Sequence, residues 1–244
     1  GTNNVGGLVG ASSGTIKGSS STVNVKGTSN VGGLVGYLTG IATTSNATGN
    51  VEATGNNVGG LIGQIYNINV TKTNLSLTYA TGNVLSTGNN VGGLIGEIAG
   101  YSSESCTVKA IIEKSYATGK VEGNECIGGL IGKIRNDYFK GYYIGYAYAE
   151  ILNTYATGSV IGQTKVAGLV GELIQAHGIT ITNRYAIGKV EGTSSIGGLV
   201  GTGAGTSKNS YFVQETTGQK FSSIGTVNTI RKMLKESGYA SWDF

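Results

Sequence analysis

One short motif occurs seven times in this chain of 244 residues, and no other feature limits the possible folds as much. Each copy is an apolar residue followed by Gly-Gly-Leu-(Val/Ile)-Gly, except that the sixth copy has Ala in place of the first Gly. The unit recurs every few tens of residues and is too small to bury a core alone, so its copies must stack, as in a solenoid. The copies begin at Val5, Val31, Val58, Val91, Ile127, Val166 and Ile196.

A second motif, Tyr-Ala-Thr-Gly-x-Val, alternates with the first. Both motifs contribute short pieces rich in Val, Ile, Tyr and Thr, separated by Gly, Asn, Ser and Thr turns. Such pieces predict β-strands, and none is long or periodic enough for a helix. With Asn for Tyr in the first copy and Ile for Thr in the last, the second motif begins at Asn46, Tyr79, Tyr116, Tyr155 and Tyr185.

The composition supports stacked parallel strands. The chain has 44 glycines and no proline, and a strand bonded on both sides has no place for a residue that lacks the backbone N–H donor. A hydrophobic content of 39% in a regular register argues against glycine-rich disorder. We therefore predict an all-β fold, a right-handed parallel β-solenoid (β-helix) of about seven coils over residues 1–218.

The two motifs together resemble the GLUG motif, named for its Gly-Leu-any-Gly signature, as at residues 60–63 and 129–132. The resemblance covers about residues 1–218, and the ending Trp242-Asp243-Phe244 is similar to one that often closes such arrays. GLUG repeats resemble parallel β-solenoid segments of large secreted or surface-anchored bacterial proteins, including adhesin-like proteins and the non-catalytic part of IgA-specific zinc metallopeptidases. The resemblance implies an extracellular or cell-surface location and no agreed catalytic residues.

The extent and charge of the chain bear on its partners. The sequence has no run of 18 or more apolar residues, so we predict no membrane insertion. It begins abruptly at the start of a repeat and without a leader, which predicts a fragment of a larger exported protein. The net charge of +4 is small and its lysines are scattered, so we predict no nucleic-acid partner.

Residues 219–244 depart from the repeat. Asn228 has the side chain of a helix cap, residues 229–237 predict one short helix, and Gly238 is a stop signal. Because solenoids usually cover their last coil, we predict that this segment forms a C-terminal helical cap.

Residues suited to metal chemistry are few. His177 is the only histidine, which excludes a His-Glu-x-x-His zinc site and most multi-histidine clusters. Calcium turns of the Gly-Gly-x-Gly-x-Asp kind need a carboxylate beside each glycine turn. The two aspartates, Asp137 and Asp243, lie outside the repeated motifs. We therefore predict no metal site, no cofactor and no catalytic residues.

The glutamates leave one catalytic alternative open, because cleavage of a glycosidic bond needs two carboxylates at a defined separation in a cleft. Glu52, Glu122 and Glu191 occupy equivalent places, which predicts a solvent-exposed row in turns and not a catalytic pair. The glutamates that cluster in the fourth unit and the start of the fifth are Glu97, Glu104, Glu113, Glu122 and Glu125.

The segment between the two motifs varies in length, with 9, 9, 15, 19, 22, 13 and 9 residues in successive units. The longer segments, 64–78, 97–115, 133–154 and 172–184, predict one lateral insertion lobe on one side of the solenoid.

The longest of these segments is rich in tyrosine. Tyrosine suits the binding of sugars or proteins because its flat apolar ring ends in a hydroxyl. The alternative is a satellite core beneath the insertions. The residues that we predict to form a binding surface on the longest segment are Tyr138, Phe139, Tyr142, Tyr143, Tyr146 and Tyr148.

Two sets of like residues recur, each at its own position of the unit, and they predict structural ladders, not ligand sites. The ladders are Tyr79, Tyr116, Tyr155 and Tyr185, with Tyr211 as a candidate fifth member, and Asn4, Asn30, Asn57 and Asn90.

Cys106 and Cys126 are the two cysteines, and an even pair in an exported protein is a candidate disulfide. Such a bond requires Cα atoms within about 7 Å. Cys126 takes the place that Asn fills in other units.

These features predict a non-catalytic extracellular scaffold of a bacterial surface protein that binds a host or environmental ligand, a glycan or a protein, through its tyrosine-rich lobe. Two alternatives stay open. One is an accessory or polysaccharide-active region of a secreted hydrolase, because parallel β-helices also host enzymes that cleave polysaccharides. The other is a self-assembling extracellular fibre subunit, in which open solenoid ends associate end to end.

Overall fold

The computed structural model describes residues 1–68, 73–101, 108–136, 147–174 and 178–233. Within these ranges the strands form four sheets, named here A to D in the order in which the chain enters them, and their pairings are parallel. Each repeat adds one strand to sheet A and one to sheet B, then one or two strands to sheet C, and the first six repeats add one strand to sheet D. The two helices of the described chain have one turn each, at Gln214–Thr217 and Ile230–Met233.

Sheets A and B carry the first motif. Its apolar residue and first glycine lie in sheet A, and its last two residues begin the strand of sheet B. The strands of sheet A are Asn3–Gly6, Ser29–Gly32, Val58–Gly59, Val91–Gly92, Glu125–Gly128, Thr164–Ala167 and Ser194–Gly197. The strands of sheet B are Val9–Ser12, Val35–Leu38, Ile62–Ile68, Ile95–Tyr101, Ile131–Asn136, Val170–Ile174 and Val200–Thr202.

Sheets C and D carry the second motif, with Tyr-Ala in sheet C and the valine in sheet D. The strands of sheet C are Thr15–Lys17, Ser20–Ser21, Ile41–Thr43, Asn46–Ala47, Thr73–Ser76, Tyr79–Ala80, Val108–Ala117, Ala147–Ala156, Thr180–Ala186, Thr206–Val213 and Thr226–Asn228. The strands of sheet D are Val25–Gly27, Val51–Ala53, Val84–Ser86, Val121–Glu122, Val160–Ile161 and Val190–Glu191.

Equivalent residues of successive repeats are direct partners across the sheets. In sheet A, for example, Val31 pairs with both Val5 and Val58, and in sheet D Val84 pairs with both Val51 and Val121. The prediction of an all-β fold of parallel strands is therefore confirmed, and the in-register stacking is consistent with a β-solenoid.

Two apolar clusters form the interior. The B–C core contains the leucine of the first motif with residues of sheets B and C, such as Leu61, Ile62 and Ala80, which are fully buried. The A–D core contains the valines of sheets A and D, such as Val58 and Val84. Each aliphatic side chain of this size contributes roughly 1.5–3 kcal/mol when buried, and stacking repeats this burial in every unit.

Glycine closes the first motif because strands of sheets A and B touch there. A Cβ atom on Gly96 would lie 2.4 Å from the backbone nitrogen of Val58 and 2.5 Å from the carbonyl oxygen of Gly63. The same contact recurs one repeat earlier, where a Cβ atom on Gly63 would lie 2.5 Å from the nitrogen of Val31. The two backbones leave no room for a side chain, so sheets A and B meet directly and the two cores lie on opposite sides of that contact.

The segment after residue 218 adds to the sheets before any helix begins. Thr226–Asn228 pairs with the end of sheet C, and the Ser222 hydroxyl accepts hydrogen bonds from the backbone nitrogens of Leu199 and Val200. The helix starts after Thr229, whose hydroxyl accepts from the Lys232 nitrogen at 3.3 Å. Asn228 is the last strand residue, so the prediction that it caps the helix is wrong. In the described ranges no helix is long and apolar enough to cross a membrane.

Candidate functional site

Most of the predicted binding surface falls outside the described residues. This holds for Tyr138, Phe139, Tyr142, Tyr143 and Tyr146. Tyr148 lies in the strand Ala147–Ala156 of sheet C, where its backbone partner is Lys109. The tyrosine-rich binding surface therefore stays a prediction.

The two predicted ladders are present. The rings of Tyr79, Tyr116, Tyr155 and Tyr185 are stacked, with centroids 5.0, 4.8 and 5.1 Å apart and planes within 3° of parallel. Tyr211 continues the register as the backbone partner of Tyr185. Burial and then the neighbouring Tyr79 raise the pKa of Tyr116. The ring faces contact each other, so they are not open to stack on a ligand.

The asparagine ladder has a conformational cause. Asn4, Asn30, Asn57 and Asn90 all have a positive φ, between 51° and 61°, and asparagine tolerates this left-handed conformation better than most residues. Each side-chain amide donates to the carbonyl oxygen of the preceding one, at 2.8, 2.9 and 2.8 Å. The later repeats place Cys126, Lys165 and Ser195 at the same left-handed position.

A facing row of side chains in sheet B carries charge. It consists of the residue directly after the closing glycine of each motif, and these residues are backbone partners. In the middle repeats this row meets the asparagine-ladder position and forms a polar cluster between sheets A and B. The row is Ala11, Tyr37, Gln64, Glu97, Lys133, Glu172 and Thr202.

Glu97 is one of two buried carboxylates in the polar cluster, and 2% of its surface is exposed. Its Oε2 accepts a hydrogen bond from Gln64 Nε2 at 2.7 Å. Its Oε1 accepts from Asn90 Nδ2 at 3.2 Å and from Arg135 Nε at 2.8 Å. Both oxygens are therefore engaged, one of them by an opposite charge.

Glu172 is the second buried carboxylate of the polar cluster. Its Oε1 contacts Lys165 Nζ at 2.8 Å, and its Oε2 contacts Lys133 Nζ at 3.4 Å and accepts from Cys126 Sγ at 3.1 Å. Burial alone would raise the pKa of Glu172, but the hydrogen bonds from Lys165 and Cys126 and the two lysine charges outweigh it and lower that pKa. Lys165 also binds Glu125 at 2.6 Å, and these hydrogen bonds raise the pKa of Lys165.

Cys126 is a free, buried thiol in this cluster, and its candidate disulfide partner Cys106 lies outside the described residues. Burial, and then the hydrogen bond to Glu172, raise the pKa of the Cys126 thiol. A thiol held protonated in this way is a poor nucleophile and a poor metal ligand.

Three other glutamates form a row at the surface. Glu52 and Glu191 are exposed and Glu122 is half-buried. They pair with Lys26, Lys189 and Lys120, respectively, as expected for a solvated row. They lie on strands of sheet D, however, so their placement in turns was wrong. Glu97 does not belong to an exposed row at all. The sequence feature that could have shown this is its position directly after the closing glycine, which Gln64, Lys133 and Glu172 share.

The buried carboxylates of Glu97 and Glu172 are unsuited to acid–base cleavage of a glycosidic bond. That reaction needs one carboxylic acid that can give a proton and one carboxylate with a free oxygen, whereas both oxygens of Glu97 and of Glu172 are held by neighbours. Glu104 lies outside the described residues. Among the residues that the structure describes, no three of His, Cys, Asp and Glu are grouped so as to hold a metal ion. His177, Asp137 and Asp243 are not among those residues.

Arg184 is a buried charge that nothing in the repeat pattern predicts. It lies in sheet C with no exposed surface, and its Nη1 donates to the Asn183 carbonyl oxygen at 3.3 Å. Its Nε and Nη2 have no partner among the described residues. Burial lowers the pKa of the Arg184 guanidinium well below its usual range.

A comparison of the chain with protein-family models, with curated protein sequences and with solved structures finds no match in any of the three. The similarity of its motifs to GLUG repeats therefore rests on the motifs themselves.

Glu172→Gln is expected to lower the free energy of unfolding by about 2 kcal/mol at pH 7, because it removes the charge that neutralises two partly buried lysines. The folded-state pKa of Glu172 lies below its ordinary value of 4.5, so this stabilisation is complete above that pH and is lost as the pH falls through the folded-state value. Urea unfolding of both proteins from pH 7 to pH 3 measures the difference.

The control is Glu52→Gln, which removes an exposed ion pair with Lys26 and should change stability by less than about 1 kcal/mol at any pH. If the free energy of unfolding of Glu172→Gln stays below that of the wild type by the same amount down to pH 3, the pairing of Glu172 with the two lysines is contradicted.

Proposed function

We propose that this chain is a non-catalytic extracellular scaffold of a bacterial surface protein, which displays a tyrosine-rich lateral lobe for adhesion to a glycan or protein ligand. The scaffold is a right-handed parallel β-solenoid of about seven coils with a C-terminal cap. The observation that carries the proposal is that polar side chains of the described strands bind their own counterparts in neighbouring repeats, as in the asparagine ladder. Stacked strands whose polar side chains bind each other offer few free polar groups to a substrate.

The position of the length variation supports the lobe. Residues 69–72, 102–107, 137–146 and 175–177 each fall between a strand of sheet B and the following strand of sheet C. Insertions at one place in adjacent repeats emerge on one side of a solenoid, which is commonly its binding side.

The strands beside the longest insertions support it as well. Val108–Ala117 and Ala147–Ala156 each have 10 residues, whereas Ile41–Thr43 has 3. The two long strands pair in register from Val108 and Ala147 onward. Sheet C therefore widens toward the insertions in the middle repeats and supplies a base for a projecting lobe.

The state of the buried carboxylates favours a scaffold over a polysaccharide-cleaving enzyme. Glu97 and Glu172 are neutralised by Arg135, Lys133 and Lys165, so they act as internal crosslinks between repeats. The ligand class that suits the lobe is a sugar or a protein surface, because tyrosine combines a flat apolar face with a polar rim.

Replacement of Tyr142, Tyr143 and Tyr146 by alanine is expected to abolish binding on a glycan array or to a cognate surface protein, while the melting temperature changes by less than about 2 °C, because exposed anchors contribute to binding and not to folding. Array binding and thermal unfolding are measured on the same samples.

The matched control replaces three tyrosines of the stacked ladder, Tyr79, Tyr116 and Tyr155, by alanine. Loss of the stacked rings should lower the melting temperature, and the protein that stays folded should bind as well as the wild type. If the lobe triple variant instead unfolds at a much lower temperature and binds in proportion to its folded fraction, its tyrosines form a satellite core and the adhesion proposal fails.

A further inference from the structure

Arg184 interrupts a ladder of small hydroxyl side chains. Thr154, Arg184 and Ser210 are successive backbone partners in sheet C, and Ser115 is the partner of Thr154 on the other side. Every member is buried. The residues at this inward position are Ser45, Thr78, Ser115, Thr154, Arg184 and Ser210.

Hydroxyls of this ladder normally have partners in the protein. The hydroxyls of Ser45, Ser115 and Ser210 each donate to the carbonyl oxygen two residues earlier, at 2.8, 2.7 and 2.8 Å. Thr78 bonds the Ser115 hydroxyl at 3.0 Å. Hydroxyl side chains at these four positions therefore fit the interior without an unpaired group.

The ladder breaks this rule at two adjacent members. The Thr154 hydroxyl has no hydrogen-bond partner among the described residues, and neither have Nε and Nη2 of its backbone neighbour Arg184. Two buried residues that are direct backbone partners thus hold three unpaired polar groups. Native proteins pair nearly all such groups, so a pair of adjacent exceptions points to a third group between them.

The charge of Arg184 indicates the sign of that group. A guanidinium is effectively always protonated in proteins, and an isolated charge in an apolar interior is costly unless it is paired. Ile181 and Ala186, which lie three residues before and two residues after Arg184 on the same strand, are apolar and fully buried. A water molecule could accept hydrogen bonds there but would leave the charge uncompensated.

We propose that Arg184 and Thr154 form a buried site for one small monovalent anion of halide size, enclosed when the repeats stack. The unpaired donors are Nε and Nη2 of Arg184 and the Thr154 hydroxyl, which suits a single chloride ion. A phosphate or sulfate ion has more acceptor oxygens than these donors can satisfy. The site is independent of the adhesion function proposed above.

The test refolds the protein from denaturant in sodium chloride, in sodium bromide or in sodium gluconate at equal ionic strength, and then measures thermal unfolding. For the wild type, each tenfold rise in halide above its dissociation constant should raise the melting temperature by about 3 to 6 °C. Bromide crystals should show one anomalous scattering peak within hydrogen-bond distance of Arg184 Nε and Nη2.

Arg184→Ser restores the residue type of the other repeats, so the variant is expected to fold, to melt above the wild type in gluconate and to lose the halide dependence. Thr154→Val should weaken the halide dependence. The charge control is Arg231→Ser, an exposed position, which should respond to halide as the wild type does. Equal halide responses of the wild type and Arg184→Ser, or crystals with water and no bromide at Arg184, would overturn the proposal.

Discussion

Replacement of Val84 by aspartate is expected to unfold the repeat array. Val84 is 1% exposed, lies in the A–D core and pairs with Val51 and Val121. A carboxylate at this place would be surrounded by valines and would have no cation beside it. Burial of an unpaired charge costs several kcal/mol, which is a large part of the stability of a domain. Because each repeat is held by its neighbours, the loss should extend beyond one coil.

Urea unfolding followed by circular dichroism measures this effect, and the adjacent residue supplies the control. Leu85 follows Val84 in the same strand but points outward, with 45% of its surface exposed, and its backbone partners are Glu52 and Glu122. A cation is therefore tolerated there, and Leu85→Lys should change stability by no more than about 0.5 kcal/mol. If the Val84→Asp protein were as stable as the Leu85→Lys protein, Val84 would not lie in a closed apolar core.

Gly96→Ala is expected to destabilise the protein by about 3 kcal/mol or more, at the upper end of the effects of overpacking. The added Cβ atom would lie within 2.4 to 2.6 Å of backbone atoms of Val58, Gly63 and Asn57. Backbone in a stacked sheet cannot move aside as a flexible side chain does, because its hydrogen bonds to both neighbouring repeats would break. Sheets A and B would therefore separate locally, and both cores border that contact.

Gly14→Ala is the matched control for this second substitution. A Cβ atom on Gly14 would meet nothing within 4 Å, so alanine there should be neutral or slightly stabilising through the unfolded chain. Thermal unfolding of the two variants compares the same chemical change in a closed and in an open place. Equal melting temperatures would mean that sheets A and B do not touch through the closing glycines.

Much of the fold could be predicted from the sequence because like residues stack on like residues in an in-register parallel sheet. The spacing of Tyr79, Tyr116, Tyr155 and Tyr185 was enough to predict the ring stack, and the recurrence of asparagine before the apolar residue of the first motif was enough to predict the amide ladder. A repeat identifies equivalent positions, and parallel pairing turns equivalence into contact.

The polar cluster was harder to predict, because its members are far apart in sequence and unlike in type. Glu172 meets Lys165 of its own repeat, Lys133 of the previous one and Cys126 at the asparagine position. Neither alternation nor composition shows that residues directly after the closing glycine turn toward sheet A. That direction follows from the close approach of two backbones, which is a property of the packed sheets.

The sequence by itself determined the class of fold, the strand order and the register of this protein, since these depend on a periodic pattern of apolar, glycine and turn residues along the chain. Only the tertiary structure decided which polar residues are buried. Glu97, Glu172 and Arg184 are enclosed because sheets that are distant in sequence come together around them, and burial depends on everything that packs against a side chain. Whether every polar atom of a buried charge has a partner is decided at that same level. Both oxygens of Glu172 have one, whereas Nε and Nη2 of Arg184 have none within the described chain.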